Sequence, residues 1–324
     1  MSTVQPAAPP ASRMSLGQVT TGKLAQPHRV LLYGTEGIGK STFGADAPKP
    51  IFIPAEQGTH QLDVARFPKP ESWRDVLEAV RTLTADSHDF RTLVIDTVDA
   101  VEPLLWRHMI DRDQSKDRNG KPKLHDIEDY GFGKGFQKAL DDWRVLLRAL
   151  ETLQATKQMH LVLIAHSQVR TFKNPEGEDF DRYELKVNPK AGGLLKEWAD
   201  CVLFAQYETF AKKDEATRRV RGLDTGARLM RVERRAAYDA KNRFGLTESI
   251  PLGWSDFDAA TKAEPDAAAL AVEIQRKAKD LGPDVEKAVA ATIEKAQGNI
   301  AALVQINNRL NTRLAEKAAA SEEN

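Results

Sequence analysis

An eight-residue stretch, GTEGIGKS at residues 34–41, constrains this chain more than any other part of its sequence. It follows the apolar run RVLLY and precedes TFGADA, so a predicted strand leads into it and a predicted helix leads out. Glycines at this spacing let consecutive backbone N–H groups surround phosphate oxygens, while the lysine reaches the terminal phosphates and the hydroxyl reaches Mg²⁺. The positive end of the following helix dipole adds to the attraction for anions. The stretch, called the phosphate loop below, therefore predicts a binding site for the phosphates of a nucleotide.

The ligands predicted for the phosphate loop are ATP and Mg²⁺. The residues predicted to contact the nucleotide are Gly34, Thr35, Glu36, Gly37, Ile38, Gly39, Lys40, Ser41 and Thr42. Lys40 is also predicted to act in catalysis, and Ser41 to bind Mg²⁺. The alternative is a chance match, but the strand before and the helix after are the context that the pattern requires.

Composition excludes several other classes of protein. Forty-seven basic residues balance 47 acidic ones, so no net charge draws the chain to nucleic acid or to an anionic membrane. A single cysteine, Cys201, excludes an internal disulfide, and no stretch approaches the roughly 18 consecutive apolar residues of a membrane helix. The N-terminus has no apolar signal-peptide core. The sequence thus predicts a cytoplasmic protein with no membrane partner.

Changes in composition divide the chain into three parts. Residues 1–27 are rich in Pro, Ala, Ser and Thr, which predicts a disordered arm. Residues 28–258 alternate short apolar runs with amphipathic segments, and Ser72 is placed to cap one of the predicted helices. This alternation predicts an α/β core with a mostly parallel central sheet and helices on both faces. Residues 259–324 are rich in Ala, Glu and Lys at helical spacing, which predicts a separate helical tail.

Acidic residues follow two of the predicted strands. RTLVIDTVD ends its apolar run at Asp96, at the place where P-loop NTPases hold the aspartate that binds Mg²⁺. The alternative is an aspartate that caps the next helix, a role that Asp99 could also take. PIFIPAEQG ends in Glu56, so a second carboxylate is predicted at the same edge of the sheet.

The order of these elements is similar to that of the RecA-like recombinases, in which a P-loop is followed by a strand ending in Glu and a strand ending in Asp. This resemblance implies a RecA-like P-loop NTPase core in which Glu56 is the catalytic base, with a solvated turn residue as the alternative. It also implies a polar sensor of the γ-phosphate at the tip of HLVLIAHSQV, which is either His166 or Gln168. VNPKAGGLLKEWADCVLFAQYE resembles the RecA-like segment in which a DNA-binding loop leads into a helix that starts at Gly-Gly.

A second resemblance concerns AYDAKNRFGL, which is similar to the Lys-x-Arg finger of DnaB-type helicases and their KaiC-like relatives. In those proteins the two cations contact the nucleotide of a neighbouring subunit. The resemblance implies that Lys241 and Arg243 do the same here and that the chain self-associates into a ring or filament. The alternative is an exposed turn.

Two basic segments are predicted to contact single-stranded DNA. Residues 112–136 combine cations with aromatic rings that can stack on bases; they are Lys116, Arg118, Lys121, Lys123, Tyr130, Phe132 and Phe136. VRTFKNPEGEDFDRYELKVNPK carries the cations Arg170, Lys173, Arg182, Lys186 and Lys190. Its alternatives are a solvated loop and a β-hairpin. A further basic cluster contains GLDTGA, which is predicted to be a hairpin turn.

Taken together, the motifs resemble the phage-encoded RecA-like nucleotide-binding proteins linked to single-strand annealing and recombination. The resemblance implies a Mg²⁺-dependent ATPase that assembles on single-stranded DNA. One alternative is an ATP-switched loading or assembly factor that binds a protein partner, with the helical tail as the contact. A DnaB-type helicase motor is the other.

Overall fold

A computed structural model describes most of the chain between residues 26 and 314. The described residues are 14, 19, 21, 26–116, 118–175, 177–213, 220–246, 248–262, 267–299, 302–303, 305–307 and 309–314, with the backbone alone at 209–213, 220–225 and 269. The predicted arm, residues 1–27, therefore lies almost entirely outside the described residues, and its extent stays a prediction.

The described strands form one mixed sheet in the order β3-β2-β4-β5-β1-β7-β8-β9, with β6 paired to β5. They are β1 (Arg29–Gly34), β2 (Pro50–Pro54), β3 (Ala65–Arg66), β4 (Thr92–Asp96), β5 (His160–Phe172), β6 (Phe180–Leu185), β7 (Cys201–Lys213), β8 (Val220–Arg231) and β9 (Ser249–Pro251). The pairs from β3 to β7 are parallel, whereas β6, β8 and β9 pair antiparallel with their neighbours. The phosphate loop follows β1, near the centre of this sheet.

Helices cover both faces of the parallel part. These are α1 (Lys40–Ala45), α2 (Trp73–Ala85), α3 (Val98–Asp113), α4 (Lys134–Lys157), α5 (Pro189–Trp198) and α6 (Trp254–Lys262), and they are followed by α7 (Ala267–Leu281) and α8 (Pro283–Ala296). Successive residues of β1 point to opposite faces, so Leu31 and Tyr33 pack with α2–α5 while Val30 and Leu32 pack with α1 and α6. Burial on both faces explains why the strand sequences are continuously apolar.

The predicted α/β class, with a mostly parallel central sheet between helices and further helices at the C-terminus, is confirmed. α7 and α8 form a hydrophobic cluster of their own around Ile274, Ala278 and Val289. The boundary at residue 258 stays a prediction. Among the described residues, no helix is both long enough and apolar enough to cross a membrane.

The second basic segment is a β-hairpin, one of its predicted alternatives, because β5 runs on beyond the sheet and pairs with β6. Two local predictions need correction. GLDTGA is not a turn but lies within β8. α5 begins at Pro189, capped by the side chain of Asn188, and not at its Gly-Gly pair, because proline at the first turn and an asparagine cap favour a helix start.

Ser72 caps α2 as predicted, and Asp75 completes a capping box with it. We expect Ser72→Ala to lower the free energy of unfolding by about 1 kcal/mol, because the backbone N–H of Asp75 loses its acceptor. Denaturant unfolding followed by circular dichroism measures this. Ser87→Ala, at an exposed serine after α2, is the matched control, and an equal loss in both variants would contradict the assignment.

Candidate functional site

The phosphate loop begins where β1 meets β7. A Cβ atom on Gly34 would lie 2.3 Å from the carbonyl oxygen of Ala205, so only glycine permits this approach of the two strands. Gly39, at the other end of the loop, has a φ of 110°, which also favours glycine. α1 begins at the next residue, Lys40. Both motif glycines are therefore required by the backbone itself.

Lys40 is buried against the loop from which it comes. Its Nζ donates hydrogen bonds to the carbonyl oxygens of Gly34, at 3.1 Å, and Thr35, at 2.8 Å. Burial lowers the pKa of Lys40, although nearby carboxylates, of which Asp96 has the largest effect, act in the opposite direction. An ammonium group held this way is positioned at the loop, where terminal phosphates would bind.

Ser41, in the first turn of α1, contacts Asp96 at the end of β4. The hydroxyl of Ser41 donates to Oδ2 of Asp96 at 2.7 Å. Burial raises the pKa of Asp96, and its Oδ1 is buried with no hydrogen-bond partner among the described residues. A hydroxyl beside a carboxylate with an unpaired oxygen is the hard oxygen donor set that Mg²⁺ prefers. The residues present thus fit the predicted ion.

Glu56 lies beside this pair, at the end of β2. Its backbone N–H and that of Ala55 donate to the carbonyl oxygen of Asp96, at 3.2 and 2.7 Å, which fixes the strand ends together. One carboxylate oxygen lies 3.5 Å from the hydroxyl of Thr97, and the other lies 3.8 Å from Nε2 of His166. Burial is the main cause that raises the pKa of Glu56, so the group is more basic than an exposed glutamate.

His166 is held at the same edge by Asp99. The backbone N–H of His166 donates to Oδ1 of Asp99 at 2.9 Å, and Nδ1 lies 2.8 Å from Oδ2. This hydrogen bond raises the pKa of His166. Burial alone would raise the pKa of Asp99, but the bonds from His166 outweigh it and lower that pKa. The ring therefore stands between two carboxylates, with Nδ1 toward Asp99 and Nε2 toward Glu56.

Asp99 is a site residue that the sequence did not reveal. The N-cap of α3 is Thr97, whose side chain accepts from the N–H of Ala100, so Asp99 is not needed as a cap. The available signal was its position, about one helical turn after Asp96, which places both carboxylates near the same strand end.

Gln168 points away from this group. Its Nε2 donates to the carbonyl oxygen of Leu185 at 2.8 Å and so holds β6 against β5. Of the two predicted sensors, His166 is the one that the fold brings to Glu56.

Lys241 and Arg243 lie at the opposite edge of the sheet. Lys241 pairs with Val202 near the start of β7, and its Nζ donates to the carbonyl oxygens of Lys196, Glu197 and Ala199 at the end of α5. Arg243, with 54% of its side chain exposed, pairs with Asp200 at 3.3 Å. Neither cation joins the phosphate loop of its own chain. Lys241 has a local role as a cap for α5, and a finger role would require a neighbouring subunit.

Arg228 is a second residue near the site that the sequence did not single out. A Cβ on Gly39 would lie 3.1 Å from Nη1 of Arg228, and the guanidinium carbon of Arg228 lies 5.9 Å from the centre of the Tyr207 ring. The residue is exposed on β8. The sequence predicts a turn at GLDTGA and therefore does not indicate that β8 returns Arg228 to the phosphate loop.

Comparison with known proteins identifies the family of this chain. A family model described as an AAA domain matches residues 26–244, which is most of the chain. The chain belongs to this AAA-domain family. The matched range includes the phosphate loop, Glu56, Asp96, His166 and Arg243, and the family supports the predicted NTPase class.

Individual relatives of this AAA-domain chain are distant. An 87-residue segment is 25% identical to the SPbeta prophage-derived uncharacterized protein YorG of Bacillus subtilis (strain 168), which covers 26% of this chain and only 27% of YorG. The RadB recombinase structure has a TM-score of 0.38 and 10% identity, over 71% of this chain and 90% of that one. The flagellar accessory protein FlaH of Methanocaldococcus jannaschii has a TM-score of 0.36 and 9% identity, over 69% and 85%. At these levels neither structure bears on function.

The pairing of Asp99 with His166 leads to a testable prediction about the pKa of His166. Because the pKa of His166 is raised in the folded chain, the pair stabilises the fold fully below the ordinary histidine value of 6.5, and this is lost as pH rises through the raised value. We expect Asp99→Asn to lower the pKa of His166, since the acceptor loses its charge. NMR titration of the imidazole measures this. Asp141→Asn, at a 76% exposed side chain on α4, is the control, and an unchanged pKa in Asp99→Asn would contradict the pairing.

Proposed function

We propose that this chain is a Mg²⁺-dependent ATPase that assembles on single-stranded DNA and acts in phage recombination or annealing. The observation that carries the proposal is the meeting of three groups at one sheet edge: Lys40 on its loop, the Ser41–Asp96 pair, and Glu56 with His166. The AAA-domain match supports nucleotide-dependent activity, and the short match to a prophage-derived protein agrees with a phage origin.

Each group has a distinct role in the proposed hydrolysis. The N–H groups of the phosphate loop and the ammonium of Lys40 bind the phosphates. Ser41 and Asp96 would hold Mg²⁺, which supplies positive charge against the phosphate oxygens when it is bound. Glu56 accepts a proton from the attacking water, a task helped by its raised pKa. His166, whose Nε2 faces Glu56, would sense the γ-phosphate beside that base, while Asp99 orients its ring.

Arg228 extends the proposed nucleotide site on the other side of the phosphate loop. Its guanidinium is near Gly39 and over Tyr207, so it is placed to contact the nucleotide in its own chain. Planar arginine side chains suit both phosphate contacts and stacking.

The proposed DNA contacts come from the two basic segments, whose C-terminal ends lie close together, because Lys190 contacts the residue that follows the first segment. Nζ of Lys190, at the start of α5, donates to Oε1 of Gln137 in α4 at 3.0 Å. The N–H of Lys186 donates to the carbonyl oxygen of His166 at 2.9 Å, so the hairpin formed by β5 and β6 begins at the nucleotide edge. This proximity supports a DNA affinity that depends on the bound nucleotide.

Two substitutions distinguish the proposed catalytic roles. We expect Lys40→Ala to weaken ATP binding and abolish hydrolysis, because a cation on the terminal phosphates is lost. Glu56→Gln keeps shape and ATP affinity, but turnover should fall by roughly 10² or more because the base is gone. ATP dissociation constants and steady-state turnover, each with and without single-stranded DNA, measure this.

Glu78→Gln, at an exposed glutamate on α2, is the control for Glu56. Full turnover in Glu56→Gln would show that another group activates water. Hydrolysis that single-stranded DNA leaves unchanged would favour the partner-loading alternative.

The proposed finger residue Arg243 leads to a prediction that can be tested only with two kinds of subunit. Arg243 is exposed, and its ion pair with Asp200 has a distance of 3.3 Å. Because exposed ion pairs contribute little to stability, Arg243→Ala should fold and bind ATP. If Arg243 stabilises charge on a neighbour's γ-phosphate, its loss should lower turnover by roughly 10³. Mixing Arg243→Ala with Lys40→Ala subunits should restore activity above that of either variant, since some interfaces then combine an intact loop with an intact finger.

Arg144→Ala, at a half-exposed arginine on α4, is the control in the same mixing assay. Mixtures no more active than their components would mean that Arg243 does not act across subunits.

A further inference from the structure

Phe132 is the most exposed aromatic residue among the described side chains, with a relative exposure of 102%. It also has a left-handed backbone conformation, with a φ of 50°, between Gly131 at 75° and Gly133 at 68°. A phenylalanine left in water loses the stability that burial would contribute, and a positive φ costs further stability in a residue other than glycine. Exposure of the ring and the positive φ therefore both lower the stability of the folded chain at Phe132.

The segments on both sides of Phe132 are packed. The hydroxyl oxygen of Tyr130 lies 3.0 Å from both the carbonyl oxygen of Met109 and Oδ2 of Asp113. On the other side, a Cβ on Gly135 would lie 2.2 Å from the carbonyl oxygen of Ile127, which is itself buried. Only glycine permits that contact. The exposed ring is thus displayed from a fixed backbone, an arrangement that reduces the entropy lost on binding.

The surroundings of Phe132 favour a stacking partner over an apolar protein pocket. Protein-binding aromatic residues lie within a larger patch that excludes water, whereas Phe132 is followed by exposed Gly133 and Lys134. At this level of exposure the faces of the ring are open, as stacking on a base requires. Gln137, little more than one helical turn further on, contacts Lys190 beside the β5–β6 hairpin. The ammonium of Lys190 and the open ring of Phe132 therefore lie on the side of the molecule proposed to bind DNA.

We propose that Phe132 stacks on a base of single-stranded DNA and is the main aromatic contact of this chain with that strand. The inference rests on the proposed function and identifies the residue whose ring stacks on the aromatic faces of the bases. Stacking of this kind does not depend on sequence, because every base has an aromatic face.

The test compares Phe132→Ala with wild type on an oligothymidine and on an abasic oligonucleotide of equal length. We expect the affinity for oligothymidine to fall roughly 5- to 100-fold. The salt dependence should stay unchanged, since no phosphate contact is lost. On the abasic strand the two proteins should bind alike. DNA-independent ATP turnover and thermal stability should not fall, because the ring makes no packing contribution to the core.

Two further variants sharpen the result. Phe132→Trp should retain affinity, and its fluorescence should be quenched by the oligonucleotide. Val145→Ala, which shortens an apolar side chain that is 38% exposed on α4, should bind like wild type.

Three outcomes would overturn the inference. Equal oligothymidine affinities in wild type and Phe132→Ala would place stacking elsewhere and leave the proposed function intact. No binding of single-stranded DNA by wild type would remove the DNA part of the proposed function as well. A change in oligomer mass with unchanged DNA affinity would assign Phe132 to a contact with a second copy of this chain.

Discussion

The close contact between β1 and β7 at Gly34 is the constraint on which the candidate site depends. The missing side chain lets the carbonyl oxygen of Ala205 occupy the place of a Cβ atom. β1 is buried on both faces and lies between β5 and β7, so the phosphate loop leaves a central, fully covered part of the sheet. Ser41, the last residue of the loop, then donates a hydrogen bond to Asp96 at the end of β4, at 2.7 Å.

The site concentrates charge that would be costly to bury without partners. The buried ammonium of Lys40 is held by two carbonyl oxygens, and Asp99 and His166 compensate each other. Asp96 keeps one unpaired oxygen, and burial raises the pKa of both Asp96 and Glu56. Shifted pKa values of this kind cluster at functional sites, although structural ion-pair networks also produce them. The arrangement is stable in the folded chain yet leaves acceptors for a cation.

β5 joins the candidate nucleotide site to the surface proposed for DNA. Its buried half lies in the central sheet, His166 stands at the end of that half, and the exposed half pairs with β6 as a hairpin. The same edge carries the start of α4, near which Phe132 is displayed. One continuous strand thus connects a residue proposed to sense the γ-phosphate with a segment proposed to contact the nucleic acid, which provides a short physical path for coupling the two.

The sequence by itself determined the local features, because these depend on residues close along the chain. Glycine spacing determined the phosphate loop, apolar runs the buried strands, and Ser72 the start of α2. Strand ends also indicated Asp96 and Glu56, since parallel strands end at one edge.

Only the tertiary structure decided which side chains meet at this edge. The fold brought His166 rather than Gln168 to Glu56 and paired Asp99 with His166. It also returned Arg228 to the phosphate loop and placed the ammonium of Lys241 at the last carbonyl oxygens of α5. Each of these contacts joins elements separated by tens of residues, and side-chain direction at a strand end depends on packing that no local pattern encodes.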